Sequence, residues 1–116
     1  MTKLGPNLKI TAHSEHRPRI REVLADLLGL PLTTRGNFDL FAISGGSIGY
    51  AFVDAPADAL TPEEARKGAW IEFLVEDPDA TVAALAARGL TPFPFGDVSH
   101  PYFALPGGQV FRLARG

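Results

Sequence analysis

The sequence predicts an α+β chain made of two βαβββ modules in succession, and three observations carry that prediction. A strand-like alternation followed by an amphipathic helical stripe occurs twice. Each helix stripe ends at a glycine and is followed by three short alternating segments. Each set of segments contains a Gly-Gly pair, Gly45-Gly46 and Gly107-Gly108, suited to a tight hairpin turn. Corresponding positions keep nearly the same spacing: 61 from Ile10 to Ile71, 60 from Gly29 to Gly89 and 62 from Gly45 to Gly107. A constant offset across strand, helix stop and hairpin indicates one supersecondary unit used twice.

In the first module, residues 8–14 alternate Ile10 and Ala12 with Lys9, Thr11 and His13, as a sheet with two different faces requires. Pro18 suits the first turn of the helix that follows, where its missing N–H costs nothing. Ile20, Val23, Leu24, Leu27 and Leu28 then form one apolar stripe. Gly29 is a left-handed stop and Pro31 prevents continuation. Residues 32–35, 38–44 and 47–53 are the three strands, completing a module over 7–54.

Residues 55–68 read as a connector rich in Ala, Pro and charge, within which Thr61-Pro62-Glu63-Glu64 has the pattern of a capped short helix. The second module spans 69–115. Its strand at 69–76 sets Ile71, Phe73 and Val75 against Trp70, Glu72, Leu74 and Glu76. Asp77 caps a helix carrying Val82, Leu85 and Ala86, Gly89 ends it, and strands are expected at 91–95, 100–105 and 109–114.

Composition narrows the function. A chain of 116 residues makes one ordinary domain. Eleven basic against thirteen acidic residues leave a charge of −2, without the surplus that attracts nucleic acid. The absence of Cys removes disulfides, thiolate nucleophiles and thiolate metal sites. No stretch approaches the roughly 20 apolar residues of a membrane span, and the first residues lack the apolar run of a signal peptide. A cytoplasmic protein without nucleic-acid or membrane partners is expected.

Several stretches carry a resemblance to a known family. Phe103-Ala104-Leu105-Pro106-Gly107-Gly108-Gln109 is similar to an F-x-D-P-D-G-N hairpin, with Leu105 and Gly107 in place of its two Asp. Residues 23–30, VLADLLGL, are similar to a helix ending in F-Y-x-x-x-L-G-F, and Ile71-Glu72-Phe73 leads into an acidic helix start at Asp79. With the doubled module, the chain resembles the vicinal oxygen chelate superfamily of glyoxalase I, bleomycin-resistance proteins and extradiol dioxygenases. The resemblance implies a cup formed by the two modules, with four metal-ligand positions on its wall. Carried over by position these are Lys9, Tyr50, Trp70 and Arg112, none of which is His or Glu. Two cations and an indole do not attract a divalent ion, so no metal cofactor is expected.

Strand parity selects the cup wall as Lys9, Thr11, His13, Ile48, Tyr50, Phe52, Trp70, Glu72, Leu74, Val110 and Arg112. Such a wall suits a flat or aromatic small molecule, although the same aromatics can simply fill a core. Glu72 and Arg112 are expected to face each other, as a clamp, as a general base with its partner, or as a structural ion pair. His13, Glu72 and His100 are the remaining set for a relocated metal, without ligand-like spacing. Arg17, Arg19 and Arg21 read as a solvated basic face. The favoured function is metal-independent binding and sequestration of an aromatic or polycyclic ligand, as in the bleomycin-resistance branch. The alternatives are a metal-dependent lyase, isomerase or dioxygenase, and a metal-free enzyme using Glu72 and Arg112. The family also implies a homodimer, and the connector permits exchange of modules between chains.

Overall fold

A computed structural model describes residues 1–95 and 98–116, in which no helix is long and apolar enough to cross a membrane. The chain divides into two compact units, Met1–Leu60 and Thr61–Gly116.

The first unit contains β1 (Asn7–His13), α1 (Arg17–Arg21), β2 (Leu32–Arg35), β3 (Phe38–Ile43) and β4 (Gly46–Val53). Its sheet has the order β1-β4-β3-β2, with β1 parallel to β4 and the other pairs antiparallel. Ile20, Val23 and Leu24 of the expected stripe are fully buried, and Gly29 takes φ +75° at the helix stop. From Glu22 to Leu27 the helix widens into a π turn, with Leu28 N bonded to Val23 O at 3.0 Å. The apolar stripe contains no sign of that widening.

In the β3–β4 hairpin Gly45, at φ +90°, lies in the turn, whereas Gly46 already pairs with Ile43. The need for glycine at 46 is steric: a Cβ there would collide with the Pro6 carbonyl, which accepts the Ser47 N–H at 3.0 Å. The two glycines expected to share one turn thus serve different purposes.

The second unit contains α2 (Pro62–Ala65), β5 (Trp70–Val75), α3 (Pro78–Ala87), β6 (Tyr102–Ala104) and β7 (Val110–Arg115). Its sheet has the order β5-β7-β6, with β5 parallel and β6 antiparallel to β7. The capping expectations hold. Thr61 Oγ1 accepts from Glu64 N at 3.2 Å while Glu64 Oε1 accepts from Thr61 N at 2.9 Å, and Asp77 Oδ1 accepts from Ala80 N at 3.1 Å. Phe73, Leu85, Phe103, Phe111 and Leu113 form the core, with the Phe103 and Phe111 rings stacked at 5.5 Å.

The strand expected at 91–95 does not form. Pro92 and Pro94 have no N–H to give a ladder, and the segment keeps one backbone bond to the sheet's edge, Phe93 N to Tyr102 O at 3.0 Å. Pro101 likewise lies just outside β6, which starts at Tyr102 rather than at residue 100. Among the described residues, the second unit is therefore βαββ where βαβββ was expected.

Candidate functional site

Both sheets have a face packed against the helix and a face turned away from it, and strand register decides which side chains share each. In the second unit Trp70 pairs with Val110, Glu72 with Arg112 and Leu74 with Ala114, while Tyr102 lies opposite Arg112. Trp70, Glu72, Leu74, Val110 and Arg112 therefore share the face away from the core, as strand parity predicts.

A single connected cluster occupies that face. Glu72 Oε2 accepts from Arg112 Nε at 2.7 Å and lies 2.6 Å from Nη2. The guanidinium so held sits 4.3 Å from the Trp70 ring centre and gives Nη1 to the Tyr102 hydroxyl at 3.3 Å. Tyr102 meets Trp70 edge-on at 6.0 Å and Phe95 at 5.0 Å, and Phe95 meets Phe93 at 6.1 Å. Arg66 covers the Phe93 ring at 5.4 Å. The Tyr102 hydroxyl raises the Arg112 pKa, desolvation opposes it, and the Glu72 carboxylate adds to the rise, so the guanidinium stays charged. Trp70 is 40% exposed, leaving part of the indole open to a ligand. The arrangement offers aromatic surface and a fixed cation.

Tyr102, Phe93 and Phe95 were not among the residues selected from the sequence. Tyr102 could have been found, because it stands directly across from Arg112 once the last hairpin is registered. Phe93 and Phe95 alternate as in a strand, a pattern that does not show their contact with Tyr102.

The first unit corrects the expected wall. Lys9 pairs with Gly49, Thr11 with Ala51 and His13 with Val53, whereas Tyr50 and Phe52 pair with Ile10 and Ala12. Tyr50 and Phe52, with Ile48, thus lie on the opposite face from Lys9, Thr11 and His13, buried on the helix side. The cause is the hairpin. Counting four residues on from Gly46 and from Gly108 matches Tyr50 with Arg112, but Gly46 is a strand residue while Gly108, at φ +105°, lies in a turn closed by Leu105 N to Gln109 O. The parallel pairs β1/β4 and β5/β7 keep the spacing of 61 along their length, so the counterpart of Arg112 is Ala51, and a slip of one residue reverses the face.

Tyr50 stacks on Phe52 at 5.7 Å and meets Phe41 edge-on, and its hydroxyl is buried without a hydrogen-bond partner among the described residues. Burial pushes its phenol well above the ordinary range.

The basic residues of α1 are a second correction. Arg17 and Arg21 grip Asp39, which is 0% exposed, at 2.7 Å for each closest contact, and Thr34 Oγ1 donates to it at 2.9 Å. Burial alone would raise the Asp39 carboxyl. Hydrogen bonds from Arg21, Arg17 and Thr34 and the Arg21 charge outweigh it and hold the group well below the usual carboxylate range. Arg19 takes no part in this cluster and pairs with Glu22 at 2.6 Å. A charged residue at the parity of Phe41 was the available signal for Asp39.

The residues do not fit the divalent ion that the resemblance implies. Lys9, Trp70, Arg112 and, by the sheet register, Ala51 present an ammonium, an indole, a guanidinium and a methyl, none of them a metal donor. The relocated set fares no better. His13 Nε2 donates to the Asp54 carbonyl at 2.8 Å while Nδ1 accepts from Glu15 N at 3.1 Å, Glu72 is held by Arg112, and His100 Nδ1 lies 2.7 Å from Ser99 Oγ. Among the described residues no group of three or more His, Cys, Asp or Glu is placed to hold a metal.

No family model matches the sequence, and no curated protein is recognisably similar to it. Solved structures are similar over nearly the whole chain. The oxidase ChaP-H2 is 24% identical with a TM-score of 0.71, covering 100% of this chain and 95% of its own. A glyoxalase/bleomycin resistance protein from Albidiferax ferrireducens T118 is 18% identical with a TM-score of 0.68, covering 98% and 99%. The fosfomycin resistance protein FosX from Listeria monocytogenes, solved with Mn(II) and sulfate, is 17% identical with a TM-score of 0.74, covering 100% and 92%. The fold is therefore the α+β fold of the vicinal oxygen chelate proteins.

Proposed function

We propose, with the vicinal oxygen chelate fold as premise, that the chain is a metal-independent binding protein that sequesters a flat, partly aromatic small molecule on the Trp70 face of its second unit. One observation carries the reading: Trp70, Tyr102, Phe95 and Phe93 adjoin one another on the sheet face opposite the core, with Arg112 locked over the indole by Glu72. Stacking on the rings supplies affinity, and the oriented cation selects a ligand with an electron-rich or anionic edge. FosX of Listeria was solved with Mn(II), but here Lys9, Trp70 and Arg112, which the family resemblance assigns to ligand positions, are not metal donors, which favours binding over metal chemistry. We further propose a homodimer in the cytoplasm, with the connector available for module exchange.

Trp70 is the sole tryptophan, so its fluorescence reads the site directly. Titration with planar aromatic carboxylates is expected to quench it saturably, and Arg112→Ala to weaken that binding at least about tenfold. Saturable quenching unaffected by Arg112→Ala, or a stoichiometric divalent metal that Glu72→Gln removes, would overturn the proposal.

A further inference from the structure

The first unit contains a cleft of about 510 Å3, within the size range of small-molecule sites, that the proposed function leaves unused. Ser14, Arg17, Asn37, Phe52, Asp54 and Asp58 line it. We propose that this cleft binds a small zwitterion of the amino-acid type, its anionic group on Arg17 and its ammonium on the Asp54 and Asp58 side.

The donor wall is built and rigid. Arg17 gives Nε and Nη2 to Asp39, at 3.3 and 2.7 Å, and Nη2 also to the Gly36 carbonyl at 2.8 Å. Its guanidinium sits 5.0 Å from the Phe52 ring centre. Nη1 alone has no partner among the described residues, so the fork is pre-set with the two N–H groups of Nη1 to spare. The cluster also carries surplus positive charge, because Arg17 and Arg21 share the single carboxylate of Asp39. An incoming carboxylate meets a cation whose ordering is already complete.

The acceptor wall is equally defined. Asp54 is fixed through Oδ1, which accepts from Ser14 Oγ at 2.6 Å, and through its carbonyl, which accepts from His13 Nε2 at 2.8 Å. Its Oδ2 remains available. The Asp58 side chain has no partner among the described residues. Asn37 gives Nδ2 to the Phe52 carbonyl at 2.9 Å, leaving its oxygen as an acceptor. A simple anion would be repelled by the two carboxylates, and a simple cation by Arg17. A molecule carrying both charges satisfies both walls, and Val53 and Phe52 give its side chain an apolar neighbour.

The test is amide chemical-shift titration of the full chain with L-leucine, leucinamide and N-acetyl-leucine as probes. Leucine is expected to shift Ser14, Gly36, Asn37 and Val53 saturably, with both half-charged probes at least about tenfold weaker. Asp58→Asn, an exposed turn substitution, is expected to weaken leucine about fivefold or more while leaving N-acetyl-leucine unchanged. Equal binding of leucinamide or of N-acetyl-leucine, no saturable shift with leucine, or indifference of leucine to Asp58→Asn would each overturn the assignment. Trp70 fluorescence is not the readout, so this proposal and the preceding one fail separately.

Discussion

The two units share a strand-helix-strand plan but place their charges on opposite sides of the sheet. In the first unit the buried ion cluster lies on the helix side: Asp39 is sealed under Arg17 and Arg21, and the opposite face carries Gly49 and Ala51 beside Lys9 and Thr11. Gly49 leaves no room for a Cβ because the Phe38 ring occupies that space. In the second unit the helix side is a dry cluster of Phe73, Phe103, Phe111 and Leu113, and the ions stand with the aromatics on the other face. Equivalent scaffolds thus put a charge cluster to different uses. A carboxylate without water contact must be satisfied for the unit to fold, whereas one that is about a third exposed, like Glu72, can position a cation at little cost to stability.

Breaking the first of these clusters should cost the most. Asp39→Asn leaves two guanidinium groups facing a neutral amide, and removing one partner of a buried ion cluster destabilises by about 3 kcal/mol. Urea denaturation should show this as a lower midpoint, and an unchanged midpoint would mean that the cluster is dispensable. The depressed Asp39 carboxyl also fixes a sign. Its stabilisation is fully present above the unfolded value near pH 4 and is lost as pH falls through the lower folded value. The acid limb of stability against pH, below about pH 4, should therefore be flatter in Asp39→Asn than in the parent.

The opposite behaviour is expected in the second unit. Glu72→Gln should cost under about 1 kcal/mol of stability, since the pair it breaks is partly exposed. It should nonetheless reduce aromatic ligand binding several-fold, because Arg112 is no longer held over Trp70. Denaturation and Trp70 fluorescence on the same variant separate the two outcomes. Turnover of a ligand that collapses in Glu72→Gln while affinity survives would instead identify the carboxylate as a general base.

Much of this division was legible in the residues. Ile20, Val23 and Leu24 of the first stripe, both glycine stops, the Asp77 cap and the Thr61 cap follow from local chemistry and form, whereas of the second stripe Leu85 is buried and Ala86 is exposed. The pairing of Glu72 with Arg112 followed from parity along two strands. What failed depended on a count across a hairpin, where one residue of misalignment moved Tyr50 and Phe52 to the wrong face. The alternation at 91–95 predicts a strand that Pro92 and Pro94 prevent. Asp39 differs: its parity with Phe41 marks a charge on the buried face, but its arginine partners lie on a helix that the pattern of β3 does not identify.

The smallest effect distinguishes the two tyrosines, and so tests the corrected register. Tyr50 and Tyr102 are the chain's two tyrosines, both buried, yet only Tyr102 has a hydrogen bond, from Arg112. Tyr50→Phe removes a buried hydroxyl without a partner and should be neutral or stabilising, by up to about 1 kcal/mol, with aromatic ligand binding unchanged. Tyr102→Phe removes an acceptor from Arg112 and should weaken ligand binding by a factor of about two to five while changing stability by under about 1 kcal/mol. Paired thermal melts and Trp70 titrations on both variants give the comparison. If Tyr50→Phe reduced binding as much as Tyr102→Phe, the helix-facing position of Tyr50 would be wrong and the spacing of 62 would be the true register. If neither variant affected binding, the ligand would lie away from the hydroxyl of Tyr102, on the open part of Trp70, which is 40% exposed.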